Sequence, residues 1–275
     1  MRVINHLQDW ASILALNLGE RTVVNSQVEA LQIKLLRSFG GAIIKGVFPF
    51  GSYTRSTLIS RHADSNGKVD LMVVFDGDSS PLTYLGWLKD FVHSQYLPSE
   101  IHPSHPNVIL DLLKQRFQRK IQLVPAIKVS EDDYRVPAKP TNYTTWLNIS
   151  PNDFKYKSEY FNTNANGKGF SIIRLMKYWN RVNDYPFDSY ELEQSIINLH
   201  YLHCNDLWDY VLATLHGLSM SGGASFKTSK FEKLKQSCYE AKRLEQNGDW
   251  NEAYHLMTTI FPPCWGLSSD KTGLS

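Results

Sequence analysis

The chain has 275 residues, 42% of them hydrophobic, enough for one large domain or two compact lobes that each bury a core. Its 29 basic and 27 acidic side chains leave a formal net charge of +2, which excludes the global field that gathers duplex DNA or an anionic membrane, so any polyanion site is local. The cysteines, Cys204, Cys238 and Cys264, are odd in number and widely spaced; they make neither a disulfide framework nor a paired zinc spacing and fit reduced thiols in the cytoplasm.

Residues 2 to 18 and 20 to 39 carry apolar side chains at helical spacing. The apolar character of the first segment is interrupted by Asn5, His6, Gln8 and Asp9, so it lacks the unbroken centre of a signal peptide, and no run approaches the roughly 18 apolar residues of a membrane span. "AIIKGVFPFGS" reads as a strand entering a tight turn, and "KVDLMVVFD" as a second strand. "PLTYLGWLKDFVHSQYL" reads as a helix with Pro81 in its first turn, where a missing amide proton does no harm. Two more strands are expected, "NVILDLL" and "RKIQLVPAIKV", the latter ending at Pro125. His102 to Val108 reads as a proline-bounded turn. From Glu131 to Asp153 the composition shifts to Pro, Asn, Thr and Asp, the signature of a crossing segment between lobes. Beyond it, "KGFSIIRLMKYWNRVN", "SYELEQSIINLHYLH" and the stretches near 206–219 and 226–246 read as helices, with an irregular C-terminal tail. His200, His203 and Cys204 cluster in sequence, but no zincin pattern surrounds them.

The stretch richest in chemistry is "FGSYTRSTLISRHADSNGKVDLMVVF", Phe50 to Phe75. A Gly-Ser turn between two strands lets the backbone approach a phosphate at Gly51, with the Ser52 hydroxyl and neighbouring amides as donors. Arg55 and Thr57 extend the same cradle.

This segment resembles the signature of the polymerase-beta-like nucleotidyltransferase superfamily, and in detail it is most similar to bacterial cGAS/DncV-like and oligoadenylate-synthase-like nucleotidyltransferases. "IQLVPAI" resembles their third acidic strand, and "SIIRLMKYWN" followed by "SYELEQSII" their helical lobe. The resemblance implies an α+β fold: a mixed-sheet lobe with flanking helices over residues 1–150, a helical lobe over 151–275, and a cleft between them. It also implies two magnesium or manganese ions between carboxylates on adjacent strands, which activate the attacking hydroxyl and hold the donor triphosphate. Aligned here, those carboxylates fall on Lys68, Asp70 and Gln122, so that only Asp70 remains. Two anionic ligands are lost and one cation gained, and on a strand Lys68 shares a face with Asp70. Metal catalysis is expected to be impaired, while Lys68 either pairs with Asp70 or takes the ion's place against a phosphate. Asp64, in the preceding loop, is a candidate replacement ligand; Asp76 and Asp78 lie beyond the far end of the strand.

By the same resemblance Lys177 reaches a donor triphosphate, and Ser189 and Tyr190 sit near the bound nucleotide, although Ser189 also reads as an N-cap and Tyr190 as a packing residue. The expected ligand is a nucleoside triphosphate or an oligonucleotide, and the setting implied is bacterial anti-phage defence beside an effector protein. The expected function is nucleotide binding without efficient catalysis, as a sensor or scaffold. The alternative is an active metal-dependent synthase of a cyclic or linear oligonucleotide messenger with a rearranged site.

Overall fold

A computed structural model describes residues 2–102, 108–112, 118–139, 143–219 and 225–263. The turn expected between His102 and Val108 and the C-terminal tail from residue 264 lie mostly or wholly outside these residues. The chain divides into two compact units.

The first is built on a mixed sheet from residues 16–61 and 65–159. Its strands are β1 (Ile44–Phe50), β2 (Lys68–Phe75), β3 (Ile101–His102), β4 (Val108–Asp111), β5 (Lys120–Lys128), β6 (Tyr134–Pro137) and β7 (Trp146–Ile149). The order is β1-β2-β5-β4-β3, with β6 joining β5 to β7. β2 and β5 run parallel at the centre, and the other pairings are antiparallel.

Two helices cover one face of this sheet, α2 (Leu18–Phe39) and α3 (Pro81–Gln95). Asn17 caps α2 by accepting from the Glu20 amide, and Gly40, at φ 73°, ends it. Ser80 caps α3, with Pro81 at the position where no amide proton is needed. Val24, Val28, Leu31 and Leu35 of α2 and Tyr84, Leu88 and Phe91 of α3 pack on Val69, Leu71, Val73, Ile121 and Leu123. The other face is apolar only at one end, where Met72, Val74, Ala126 and Val136 meet Phe48 and Phe50. The burial of β2 records this, alternating over Lys68 to Leu71 and continuous from there to Phe75.

Two expectations for this unit need correction. Pro125 does not end β5 but lies inside it. On the edge away from β2, the pairing with β4 stops at Leu123 and that with β6 starts at Ile127, so a residue without an amide proton is accommodated there. The segment from Glu131 to Asp153 is not merely a crossing segment, since it contains the hairpin β6–β7 at the sheet's edge. The short β3 was also not anticipated.

The second unit is helical and comprises residues 1–15, 62–64 and 160–275. It holds α1 (Val3–Ile13), α5 (Gly169–Val182), α6 (Ser189–Ile197), α7 (Leu207–Gly217), α8 (Ser225–Asn247) and α9 (Trp250–Ile260), while the boundary at 159/160 falls within α4 (Pro151–Asn164). α1 packs on α5, α7 and α9, so the N-terminal helix belongs with the C-terminal ones rather than with the sheet, unlike the expected division at 150. α4 and α9 were not anticipated, and α6 stops at Ile197, short of the expected His203. Among the described residues, no helix is long and apolar enough to cross a membrane.

Candidate nucleotide site

The Gly-Ser segment forms a turn at the end of β1. The Arg55 amide donates to the Gly51 carbonyl at 3.3 Å, and the Thr57 and Leu58 amides both donate to the Ser52 carbonyl at 3.0 Å. The Thr54 hydroxyl also reaches the Gly51 carbonyl, at 3.0 Å. Such a turn consumes its carbonyls, and successive amides at the opening of a turn of this kind are the groups that can cradle an anion.

Gly51 holds φ 77°, and a Cβ added there would meet Oδ2 of Asp70 at 2.9 Å. The cause lies in register: Phe50, the last residue of β1, pairs with Asp70 of β2, so the chain turns directly over that carboxylate. Only glycine satisfies both the backbone conformation and the close approach.

The parallel pairing of β2 with β5 aligns Lys68 with Lys120 and Asp70 with Gln122. On the other side of β5, Lys120 pairs with Asp111. Paired residues project to the same face and side chains alternate, so Lys68, Asp70, Lys120, Gln122 and Asp111 share the polar end of one sheet face. The Lys120 ammonium lies 3.4 Å from an Asp111 carboxylate oxygen and 3.3 Å from the Asn66 amide oxygen. Two lysines and two aspartates make this end of the face formally neutral, where the resemblance described above implies a strongly negative pattern.

The metal pair implied by that pattern does not fit these residues. A hard divalent ion at a phosphate site is held by oxygen ligands, one or two of them carboxylates with the rest from water and substrate, and a close pair of such ions needs carboxylates for both. Asp111 is engaged by Lys120, Lys68 stands in register beside it, and Gln122 brings no charge. Among the described residues, no group of three or more His, Cys, Asp or Glu side chains is arranged to hold a metal.

The remaining expected site residues occupy varied positions. Ser52 is half-buried in the turn itself. The Arg55 side chain is buried, its guanidinium 4.4 Å from the centroid of the Phe154 ring, where the cation faces the ring's negative surface. Thr57 is also buried, and its hydroxyl donates to the Ser52 carbonyl at 3.4 Å, which braces the turn. Asp76 pairs with Lys45 at 3.1 Å and Asp78 with Arg135 at 3.8 Å.

In the helical unit, Asp64 accepts from the Tyr185 hydroxyl at 3.2 Å and lies 3.7 Å from Arg181. Burial, reinforced by the Asp64 charge, pushes the Tyr185 hydroxyl well above its ordinary pKa, so it remains a donor. Lys177 of α5 is buried and donates to a carboxylate oxygen of the fully buried Glu193 on α6 at 2.5 Å. Tyr190 is exposed on the first turn of α6. The N-cap of α6 is Asp188, which accepts from the Tyr190 and Glu191 amides, rather than Ser189, which occupies the first helical position.

Sequence reasoning did not single out Lys120, Asp111 or Asn66. The signal was present, because Lys120 precedes Gln122 by the same two residues that separate Lys68 from Asp70. It also passed over a buried brace behind the turn. Glu20 accepts from Arg119 Nε at 2.8 Å and from the Arg61 amide at 2.9 Å, while Arg119 Nη2 donates to the Ile59 carbonyl at 2.6 Å. Gln27 adds a reciprocal pair to the Arg119 backbone, accepting from its amide at 3.0 Å and donating to its carbonyl at 3.4 Å. This network joins the first turn of α2, the loop after the Gly-Ser turn and the start of β5.

A glycine turn closing over an aspartate beside a parallel strand pair, flanked by two helices, is the arrangement that the resemblance to nucleotidyltransferases implies, and the match to a family pattern places the chain in that superfamily. The chain belongs to the Second Messenger Oligonucleotide or Dinucleotide Synthetase (SMODS) family, whose pattern it matches over residues 1–162. It is 23% identical over 232 residues to a probable cyclic nucleotide synthase of Bacillus cereus (strain VD146), covering 72% of this chain and 64% of that protein's length. Its fold resembles that of CdnC from Escherichia coli MS115-1 solved with ATP, with a TM-score of 0.71, 15% identity and coverage of 95% of this chain and 98% of the other. It also resembles the nucleotidyltransferase CdnG of Bradyrhizobium diazoefficiens in complex with GTP, with a TM-score of 0.66, 11% identity and coverage of 92% and 96%.

Proposed function

We propose that this protein binds a nucleoside triphosphate or an oligonucleotide at the Gly51 turn and is catalytically impaired, acting as a nucleotide sensor or scaffold. The observation that carries this reading is the divided state of the site. The turn remains closed over Asp70, whereas Lys68 and Gln122 stand where the family pattern has carboxylates. Like unit charges about 4 Å apart repel by about 4 kcal/mol at an effective dielectric constant of about 20, so placing an ammonium near a would-be divalent ion carries a large cost.

The likeness to proteins solved with ATP and GTP supports a nucleotide as ligand. Lys177 is proposed to meet its phosphates and Tyr190 its base, with Ser189 nearby. A protein partner is proposed by analogy with CdnC, which is known in complex with a HORMA protein, and bacterial defence in the cytoplasm is the setting proposed.

A second reading, an active synthase of a cyclic or linear oligonucleotide, is favoured by the retained Asp70 and by Asp111, a further carboxylate on the same sheet face.

The test is turnover of labelled ATP, GTP, CTP and UTP with magnesium and with manganese, run beside the double variant Lys68→Asp/Gln122→Glu. The expected result is silence from the natural chain and product from the variant. Turnover by the natural chain that Asp70→Asn abolishes would overturn the impairment and establish the second reading.

A further inference from the structure

We infer that Lys68 and Lys120 together form a metal-independent phosphate clip, which binds the uncomplexed anion rather than its magnesium complex. The inference rests on the nucleotide reading above and concerns how that same site takes its ligand.

The two lysines are register partners on adjacent parallel strands, and like charges directly opposite one another destabilise a sheet unless something neutralises them. The face supplies one carboxylate on each flank, Asp70 two residues beyond Lys68 and Asp111 in register with Lys120. Asp111 and Asn66 hold the Lys120 ammonium by its side, at 3.4 and 3.3 Å. An ammonium has three donors, so two such neighbours leave capacity for a further oxygen while fixing where the group sits.

The Gly51 turn lies against the Asp70 carboxylate. An anion received by the opening amides of that turn therefore comes close to a negative charge and needs a cation beside it. In the family pattern a divalent ion answers this need, and among the described residues no group of three or more His, Cys, Asp or Glu side chains is arranged to hold one. Among the described residues, the strand cations at this polar end of the sheet face are the ammonium groups of Lys68 and Lys120. A lysine neutralises a phosphate as a point charge and requires no metal to do so. Because magnesium removes two negative charges from a triphosphate, the free anion is the better ligand for such a clip.

The chemistry shared by the candidate ligands is a run of adjacent phosphate groups, and these come from a nucleoside triphosphate or from a phosphodiester backbone. The experiment is calorimetric titration of the full chain with ATP, and separately with a short oligoadenylate lacking a triphosphate, each in excess EDTA and in excess magnesium. ATP binding in EDTA at least as tight as in magnesium supports the clip; oligoadenylate binding with the same indifference assigns it to phosphodiesters as well. Lys120→Gln and Lys68→Gln should each weaken binding in EDTA by about tenfold or more, the loss of one charge-assisted hydrogen bond. Lys120→Arg keeps the charge and should retain most of the affinity, which separates charge from folding, and melting curves on each variant complete that control.

Binding that appears only with magnesium overturns the clip and leaves the nucleotide reading standing, as does unchanged affinity in a folded Lys120→Gln. Binding of neither ligand in either medium overturns the nucleotide reading together with the clip.

Discussion

Gly51 and Asp70 are locked together, the glycine at φ 77° and its absent Cβ only 2.9 Å from the carboxylate oxygen. Gly51→Ala therefore meets two costs, a left-handed backbone that alanine resists and a collision with Asp70. The expected loss is about 1–2 kcal/mol of stability, with a larger effect on ligand, because relief of the collision moves the turn amides or the carboxylate. Calorimetry on Gly51→Ala should show nucleotide affinity falling by more than the shift in melting temperature accounts for. Unchanged affinity would mean that the turn does not touch the ligand.

The Glu20–Arg119 pair lies almost wholly out of water, with side chains 0% and 1% exposed. Removing one partner leaves a buried charge uncompensated, so Arg119→Met should cost about 3–5 kcal/mol. Replacing both as Glu20→Leu/Arg119→Met should recover much of that stability while releasing the Ile59 carbonyl and the Arg61 amide from their contacts. Denaturant unfolding of the single and double variants, analysed as a cycle, measures the coupling. Near-additive losses would show that Arg119 acts through packing alone.

The sheet core and the Gly-Ser turn were legible because their signals are local: polar residues at alternate positions at the start of "KVDLMVVFD", a glycine between strands, Pro81 in the first turn of its helix. The β6–β7 hairpin was hidden because edge strands tolerate the Pro, Asn and Thr that otherwise mark loops. The helical pattern of α1 could be read, but nothing local to residues 3–13 says that it packs with α5, α7 and α9. Asp188 and Ser189 are both good N-caps, and only the bonds to the Tyr190 and Glu191 amides decide between them. Lys120 was overlooked because its significance comes from register with Lys68, which is 52 residues away in sequence and adjacent only in the sheet.

Lys177 and Glu193 form a second buried pair, at 2.5 Å. Glu193 is fully buried, so Lys177→Met strands its carboxylate and should lower stability by about 3 kcal/mol or more. The double variant Lys177→Met/Glu193→Leu should regain most of this. If Lys177 also meets phosphate, as proposed, the double variant will remain weak in nucleotide binding after its melting temperature has recovered. Recovery of stability and affinity together would confine Lys177 to a structural role.

His6 provides a pH-dependent contribution in the helical unit. Its ring is packed against Trp10 and Tyr254, with centroids 3.4 and 4.6 Å away, and its Nε2 is buried with no hydrogen-bond partner among the described residues. Burial lowers its pKa from the usual 6.5, an effect that the neighbouring Asp9 only partly offsets. The unfolded chain therefore takes up this proton at a higher pH than the folded chain does. Stability from this group is present above 6.5 and declines as the pH falls below that value toward the lowered folded-state pKa. Urea unfolding of the natural chain and of His6→Phe at several pH values between 7.5 and 5 tests this. The natural chain should lose more stability on acidification than the variant; equal losses would show that His6 carries its proton equally well in both states.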